Sequence, residues 1–547
     1  METGRPVSMA LRGMVATPHA LATQTGLRIL RQGGNAVEAA VAAAATIAVV
    51  YPHMNSLGGD NVWLTYDATS RQVRGLNATG RSAAAATIGW YRERGITEAI
   101  PPRGFLAANT VSGCVDGWAQ AYAYSREALG GRLPWEDLLA DAIHYADDGF
   151  PVTRSQEECT AQNLDPSDDW IRHLQRFEGF RQTYLHSDGR PVGQGQVMRL
   201  RALALTLREL AREGAEAFYR GSLARRIADF LQRHGSPLTA EDFATHTSTW
   251  VEPLRTTYRS DTALSLPPNT QGIAALSLLN LLETHDLTLY GDGSPDYLHL
   301  MVEATKLAFA DRDRWVTDPD WLKAPLSRLL DKAYAAERAA RISMSRAQAA
   351  CAPGITGGDT VAVAVVDGAG NAVSLIQSIY FDFGSAIVAG DSGVLMQNRG
   401  SFFSLDPAHV NALAPRKRTF HTLIPAMLLA DRRPYLVYGT MGGEGQPQTQ
   451  AALATRVVDF GYDIQAAIEA PRWLYGRTWG LPTRALYLEG RFSPATAQEL
   501  TRRGHPVQVL PAWSESMGHA QGICIDPETG VRFGGADPRG DGAAAGY

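Results

Sequence analysis

The sequence of 547 residues lacks the signatures of several large protein classes. Its four cysteines, Cys114, Cys159, Cys351 and Cys524, are few and scattered and form no CxxC pair, which argues against a disulfide framework, a zinc ribbon and a thioredoxin-like centre. It contains no GxSxG, GxxxxGK(S/T), GxGxxG or HExxH motif. The 13 histidines show no metal-ligand spacing, so the sequence predicts no metal site.

Charge and long apolar runs are also scarce. Charged residues make up 20% of the chain and hydrophobic residues 45%, with a net charge of −5, which is typical of a globular enzyme. This balance argues against a disordered or coiled-coil protein and against nucleic acid or an anionic membrane as the main partner. The longest apolar run, Ala39 to Val50, is too short to cross a bilayer and predicts a buried helix. The first 18 residues show no secretory signal, so we expect a cytoplasmic protein.

Helical patterns dominate the first half of the chain. A turn at 33–35 precedes a predicted helix over 36–49, and 201–212 and 220–234 are amphipathic. Ser294 is a suitable N-cap and Pro295 suits the first position of another helix. The length predicts three or four domains or one large layered fold.

The composition becomes strand-like after about residue 350. A loop over 352–359 precedes two β-rich runs, 360–366 and 372–380, separated by a turn at 368–371, which predicts a hairpin. Val361, Val363 and Val365 are expected on one face of the first strand, and Thr360 with small alanines on the other. Further strands are predicted at 424–429 and 435–438, so helices followed by strands indicate a layered α/β or α+β protein.

Thr360 stands where the glycine-rich loop meets the first of these strands. One interpretation is an ordinary residue that begins a strand. The other is an N-terminal nucleophile, because a threonine at a new N-terminus carries both a hydroxyl and an α-amine that can act as its general base. A free α-amine has a pKa of about 7.7–8.0, so it can accept a proton near neutral pH.

The run GTMGGEG (439–445) follows the predicted strand at 435–438. A glycine pair after a buried strand can be a plain turn. It can also present two backbone N–H groups to an oxyanion, because no Cβ obstructs the approach.

Taken together and in order, these features resemble the γ-glutamyltransferase family of N-terminal-nucleophile (Ntn) hydrolases. The resemblance runs nearly end to end through the following strings: GGNAVEAAVAAA (33–44), SLGGD (56–60), VSGCVDGW (111–118), PPNTQG (267–272), EATKLAFADRDR (303–314), DTVAVAVVDGAGNAVS (359–374), FGSAIVAGDSGVLMQNRG (383–400), TMGGEGQPQTQ (440–450) and GGADPRGDGAAAGY (534–547). QSIY, QNRG and FHTLIPA are most similar to a divergent branch that contains oxamate amidohydrolase and glutathione-hydrolase-like proteins.

The resemblance implies an α+β protein with a four-layer αββα sandwich, made as one unit from two autoproteolytic chains. Cleavage between Asp359 and Thr360 would give a large chain, 1–359, and a small chain, 360–547, which stay associated. A dimer of such heterodimers is compatible with it. The family requires no cofactor and no metal, and the expected partner is a small amide substrate.

The same resemblance assigns roles to individual residues. Thr360 is the expected nucleophile, Gly442 and Gly443 match the oxyanion-hole pair, and Ser378 matches a hydroxyl position close to the nucleophile. Arg81 lies in the segment that usually supplies an arginine for the substrate carboxylate; a solvated surface arginine is the alternative interpretation.

The sequence departs from the family in the substrate pocket. γ-Glutamyl enzymes hold the glutamate ammonium with an Asn, a Gln and an acid, where this chain has Tyr380, Arg399 and Phe402. His421 and Thr422 replace the paired serines that hold the α-carboxylate. Arg399 repels an ammonium, so Arg81, Arg399 and His421 together predict a cationic pocket. Tyr380, Phe402 and His421 also have an alternative interpretation as packing or structural residues.

These observations predict a self-processing threonine amidohydrolase acting on a small, carboxylate-bearing, oxamate-like amide through an acyl-enzyme. Three alternatives stay open: a γ-glutamyl hydrolase or transpeptidase acting on glutathione, a biosynthetic relative that cleaves an acyl or C–C bond, and an inactive binding protein.

Overall fold

The computed structural model describes residues 4–323, 325–348, 359–476 and 483–547. None of the helices in these ranges is long and apolar enough to cross a membrane. The described residues contain 19 strands, which in chain order are β1 (Ser8–Ala10), β2 (Met14–Thr17), β3 (Asp60–Asp67), β4 (Gln72–Ala78), β5 (Phe150–Pro151), β6 (Val197–Met198), β7 (Thr249–Val251), β8 (Leu254–Tyr258), β9 (Asp261–Ser265), β10 (Asp359–Val366), β11 (Ala372–Tyr380), β12 (Ala426–Ala430), β13 (Arg433–Thr440), β14 (Trp473–Tyr475), β15 (Leu486–Glu489), β16 (Val507–Leu510), β17 (Ala520–Ile525), β18 (Arg532–Ala536) and β19 (Ala543–Gly546).

The α-helices of the described residues are α1 (Ala20–Arg31), α2 (Ala36–Val50), α3 (Ile88–Arg92), α4 (Cys114–Ala128), α5 (Trp135–Asp148), α6 (Arg154–Gln162), α7 (Glu178–Tyr184), α8 (Arg201–Glu213), α9 (Glu216–Tyr219), α10 (Ser222–Arg233), α11 (Ala240–Ala244), α12 (Gly272–Glu283), α13 (Pro295–Trp315), α14 (Leu326–Leu329), α15 (Lys332–Ala339), α16 (Gln446–Val458), α17 (Ile464–Glu469) and α18 (Pro494–Arg502).

Two seven-stranded sheets form the centre of the protein. The first has the strand order β1-β18-β17-β13-β12-β9-β8, and the second has the order β19-β2-β10-β11-β3-β4-β7. Neighbouring strands within both sheets are antiparallel. Each sheet therefore contains strands from before and after residue 360.

Three apolar cores separate the layers. Small and branched side chains from both sheets, such as Ala362, Ile376 and Val437, meet between them. The outer face of the second sheet, with Val363 and Val373, packs against α2, α4, α5 and the helices that follow. The outer face of the first sheet packs against α12, α13, α16 and α17. This is the αββα sandwich that the resemblance implied.

The predicted hairpin is confirmed, with β10 and β11 paired from Val361–Gln377 to Val366–Ala372. Val363 and Val365 contact the helical layer while Ala362 and Ala364 face the other sheet, as their alternation predicted. The helices expected at 36–49, at Ser294, at 201–212 and near 220–234 are also present.

The expectation of helices first and strands later is wrong. Strands β3 and β4 lie in the first half and complete the sheet that β10 and β11 occupy. Their segments were not recognised because β3 is buried along its whole length and so lacks the alternating polarity of a half-exposed strand.

Two local devices fix this part of the sheet. The Asp367 carboxylate accepts hydrogen bonds from the backbone of Ala369 and Asn371 in the hairpin turn, and also from the Ala36 N–H at the start of α2, at 2.9–3.0 Å. Beside β11, a Cβ built on Gly59 would lie 2.3 Å from the Ser378 carbonyl oxygen, so only glycine permits this approach.

Candidate active site

Thr360 lies at the start of β10, in the interior of the second sheet. It is 1% exposed, and among the described residues no hydrogen-bond partner lies within reach of its Oγ1. Its strand has β2 on one side and β11 on the other. The hydroxyl is therefore buried at a strand end but not committed to a structural hydrogen bond.

The end of β11 lies opposite Thr360. Asp359 pairs with Tyr380 and Val361 pairs with Gln377, so the register shift between them leaves Ser378 and Ile379 opposite Thr360. The Tyr380 N–H donates to Ser378 Oγ at 2.8 Å, and Tyr380 adopts a left-handed φ of 83° where the strand ends. The structure thus brings the predicted Ser378 and Tyr380 to the strand end that carries Thr360.

The glycine turn links β13 to α16. Gly442 and Gly443 have φ values of 124° and 52°, both in the left-handed region that favours glycine. The Gly445 N–H donates to the Gly442 carbonyl at 2.8 Å, and α16 begins at the next residue. N–H groups at the beginning of a helix carry partial positive charge, so this turn is suited to stabilise an oxyanion.

A network of buried side chains contacts the glycine turn and holds it in place. Gln271 Nε2 donates to the Gly443 carbonyl at 2.9 Å and to the Thr422 carbonyl at 2.8 Å. Arg312 Nη1 donates to Gln271 Oε1 at 2.9 Å, and its other terminal nitrogen forms an ion pair with Glu444. A single amide therefore fixes the distance between the glycine turn and the Thr422 loop.

Arg399 is a buried cation that forms no ion pair with the residues that the structure describes. It is 1% exposed, and Nη1 donates to Thr422 Oγ1 at 3.1 Å. Its guanidinium carbon lies 4.1 Å from the centre of the Tyr380 ring. Nε and Nη2 have no hydrogen-bond partner among the described residues, and burial lowers the Arg399 pKa to about 10.

His421 is engaged with Asp60. Nε2 lies 3.1 Å from Asp60 Oδ2, and Nδ1 accepts from the Leu423 N–H at 3.4 Å. Burial, followed by the charge on Arg399, lowers the His421 pKa to about 4, so the imidazole is neutral at physiological pH. Although burial alone raises it, the pKa of Asp60 lies below its usual value because His421 and the backbone N–H groups of Gly113 and Gly80 donate to its carboxylate.

Arg81 does not face Arg399. Its guanidinium forms ion pairs with Asp318 at 3.1 Å and Asp320 at 3.4 Å, and its side chain is 36% exposed. The prediction that Arg81, Arg399 and His421 together form a cationic pocket is therefore wrong for Arg81 and His421. Arg81 is already neutralised and His421 is uncharged, which leaves Arg399 as the pocket cation.

Aromatic rings pack against one another beside Arg399. The Phe402 ring centre lies 5.6 Å from that of Tyr380 and 4.9 Å from that of Phe420. Their packing supports the interpretation of Tyr380 and Phe402 as wall residues. A wall of rings offers no anion to an ammonium group.

One side-chain cluster in the described part of the chain has the proximity of a metal site. Ligand atoms of His299, Glu303 and His505 lie within 4.8 Å of one another. However, Lys306 Nζ lies 2.7 Å from Glu303 Oε1, and His299 Nδ1 lies 2.8 Å from His505 Nε2. The lysine ammonium and the imidazole hydrogen bond already occupy the positions that a metal ion would need.

Several residues of this site were not predicted individually. Asp60, Gln271, Arg312 and Glu444 entered only as letters of the family-like strings SLGGD, PPNTQG, EATKLAFADRDR and TMGGEG. Their roles depend on contacts over long sequence separations, such as Arg312 to Glu444, which no local pattern reveals.

Comparisons with known proteins agree with this architecture. A sequence model of the gamma-glutamyltranspeptidase family matches residues 22–547. The glutathione hydrolase-like YwrD proenzyme of Bacillus subtilis is 47% identical and the alignment covers 97% of this chain and 98% of that protein. The oxamate amidohydrolase proenzyme of Klebsiella pneumoniae is 46% identical, with 99% of each covered. The crystal structure of cephalosporin acylase from Bacillus halodurans is 38% identical with a TM-score of 0.90, covering 100% of this chain and 98% of that one.

We expect Gln271→Glu to impair catalysis more than folding. The carboxylate keeps the partner of Arg312 but cannot donate to the carbonyls of Gly443 and Thr422, so the turn should shift. A displacement of about 1 Å at a reacting centre can cost on the order of 10²-fold in rate. Amide hydrolysis and thermal unfolding of the processed protein measure the two effects.

The matched control is Gln448→Glu, which makes the same change in a buried glutamine whose partner among the described residues is the Tyr475 backbone. Equal loss of kcat in the two variants at equal melting temperature would contradict a positioning role for Gln271.

Gly443→Val should reduce turnover by about 10²–10³-fold, the usual effect of losing one oxyanion donor. The side chain would enter the space in front of the turn, and the left-handed φ of 52° adds strain. Gly530→Val is the control, since Gly530 has a similar φ of 72° in an open turn far from Thr360. Unchanged turnover in a folded Gly443→Val protein would place the oxyanion donors elsewhere.

Proposed function

The chain belongs to the gamma-glutamyltranspeptidase family and is an Ntn-type hydrolase, and from that premise we propose that it is a self-processing threonine amidohydrolase for short amides whose acyl half bears a carboxylate. Oxamate is the simplest such substrate. The observation that carries this proposal is Arg399, a buried guanidinium with two nitrogens that have no hydrogen-bond partner among the described residues.

Self-processing is the first step of the proposal. Thr360 Oγ1 attacks the carbonyl carbon of Asp359, and the peptide bond is exchanged for an ester as the Thr360 nitrogen takes the proton. Water hydrolyses the ester and leaves the Asp359 carboxylate and a free Thr360 α-amine. Relatives named as proenzymes support this step. The chains 1–359 and 360–547 stay together because strands from both complete each sheet.

Hydrolysis then uses the same hydroxyl. The neutral α-amine of Thr360 accepts the hydroxyl proton as Oγ1 attacks the amide carbon, and the N–H groups of Gly442 and Gly443 stabilise the oxyanion. The C–N bond breaks as the leaving nitrogen receives the proton. Water attacks the acyl-enzyme ester in turn and restores the hydroxyl.

Substrate selection follows from charge. A buried guanidinium without an anion is costly, and a carboxylate that accepts from Nε and Nη2 of Arg399 recovers that cost. Hydrogen bonds to charged groups contribute about 1.5–3 kcal/mol. An ammonium near Arg399 would be repelled, and Tyr380 and Phe402 supply no carboxylate to hold it. The pocket therefore favours an acyl group with an acid and without an α-amine.

The first prediction of this proposal concerns processing. Thr360→Ala should remain one full-length chain, whereas wild type should give two bands on a denaturing gel, the smaller beginning at Thr360 by N-terminal sequencing. Thr360→Ser keeps a hydroxyl and should still be cut. An active wild type that stays a single band, or a small chain that begins elsewhere, would overturn the assignment of the nucleophile.

The second prediction concerns Arg399. Arg399→Gln should lower kcat/KM for oxamate by about 10–100-fold, because the carboxylate loses its charged partner. It should also raise the melting temperature, because an uncompensated buried charge is removed. Arg81→Lys, which keeps the ion pair with Asp318, should leave both values near wild type.

A substrate panel separates this proposal from a γ-glutamyl enzyme. Wild type should hydrolyse oxamate and related short acid amides better than glutathione or γ-glutamyl-p-nitroanilide. The double variant Arg399→Gln/Phe402→Asp should shift preference toward γ-glutamyl substrates, since it replaces the cation and supplies an acid. Efficient wild-type turnover of glutathione with none of oxamate would favour the γ-glutamyl alternative.

A further inference from the structure

A large cavity adjoins the glycine turn. Its volume is about 680 Å³, enough for a small organic molecule. Met441, which precedes Gly442, and Phe381, which follows Tyr380, form part of its wall, and Arg399 does not. The rest of the wall comes mainly from α6 and from the loops 511–516 and 538–541.

The cations of this wall are already bound to other groups of the protein. Arg103 donates to the Ile171 carbonyl at 2.9 Å and to Asn163 Oδ1 at 3.2 Å, among other partners. Arg539 forms ion pairs with Glu489 and Asp537, and Arg154 pairs with Glu158 at 2.7 Å. Arg172 is exposed, so water screens its charge.

Two wall carboxyls have hydroxyl groups as neighbours instead of cations: Ser155 lies beside Glu515, and Thr153 and Tyr51 lie beside Asp541. Within the described ranges, no cation lies at ion-pair distance from Glu515 or Asp541, and Asp541 Oδ2 is buried without a hydrogen bond. Burial is the main cause that raises the Glu515 pKa to about 7, and the neighbouring Asp541 and Glu158 raise it further. Burial also raises the pKa of Asp541. The cavity wall therefore holds two neighbouring carboxyls whose ionised form a bound cation would stabilise.

The position of the cavity decides which part of a substrate can enter it. The scissile carbon must lie between Thr360 Oγ1 and the N–H groups of the glycine turn, and the acyl carboxylate points to Arg399. Arg399 does not line the cavity, so the leaving amine is the part of the substrate that can enter it, beside Met441 and Phe381.

We propose that this cavity is the leaving-group subsite and that it binds an amine carrying a second basic group, an ammonium or guanidinium held by Glu515 and Asp541. This inference rests on the proposed amidohydrolase function. The substrate class is accordingly an acid amide with a carboxylate at the acyl end and a cation a few carbons beyond the scissile nitrogen.

A matched pair of amides tests the inference. N-(3-aminopropyl)oxamate and N-butyloxamate have nearly the same shape and differ in one terminal ammonium. Processed wild type should show a kcat/KM about tenfold or more higher for the cationic amide, the effect of one charged hydrogen bond. Equal values for the two amides would overturn the inference.

Substitutions of Glu515 and Asp541 test whether these carboxyls cause the preference for the cationic amide. Glu515→Gln and Asp541→Asn should each reduce the ratio of the two kcat/KM values, and together they should bring it close to one. Glu528→Gln removes an exposed carboxylate outside the cavity and should leave the ratio as in wild type. A preference that survives the double substitution would contradict the assignment of these two carboxyls.

A binding measurement separates this inference from the proposed function. If processed wild type hydrolyses none of the oxamates, the proposed function is wrong, and calorimetry with propane-1,3-diamine still tests the cation site. The diamine should bind wild type and bind Glu515→Gln at least about tenfold more weakly. No binding, or equal binding to both proteins, would overturn the inference.

Discussion

The pairing of β10 on both of its edges is the constraint on which the candidate site depends. The strand is held between β2 and β11, and its faces are covered by helices and by the other sheet. Because β2 pairs with β10 only over Ala364–Val366, the N-terminal part of the strand is the part that other catalytic groups can approach. Thr360 occupies the N-terminal end, and every other candidate group has to be brought there by a segment that leaves a sheet at the same place.

Buried polar contacts join residues that precede Thr360 in the chain to residues that follow it. Gln271, Arg312 and Asp60 precede Thr360 in the chain, and they bind the Gly443 turn, Glu444 and His421, which follow it. Such contacts are worth more in a low-dielectric interior than at the surface, and an unpaired member is expensive. The site geometry therefore needs both parts of the chain, which agrees with the proposal that cleavage leaves them associated.

Sequence patterns predicted the parts of this architecture that depend on local order. The β10–β11 hairpin followed from two apolar runs around a glycine turn, and the helix at Ser294 followed from its N-cap and proline. The αββα arrangement came from family resemblance, since a fully buried strand such as β3 gives no alternating signal. The charge states in the pocket could not be predicted from sequence. His421 is neutral because it is buried, and the charge of Arg81 is balanced by its ion pair with Asp318.

Two groups of charged side chains lack a counter-ion among the described residues. Arg399 is buried with two donors that no described residue accepts from, and no described cation lies at ion-pair distance from the cavity carboxyls Glu515 and Asp541. The arrangement at Arg399 does not benefit the free protein, because an isolated buried charge costs more than a well-packed apolar residue of the same volume. In the proposed complex, the carboxylate and the cation of the ligand supply both counter-charges, and a ligand bound in reverse would meet like charges at both ends. In that complex the same charged groups set the direction in which the amide lies across Thr360.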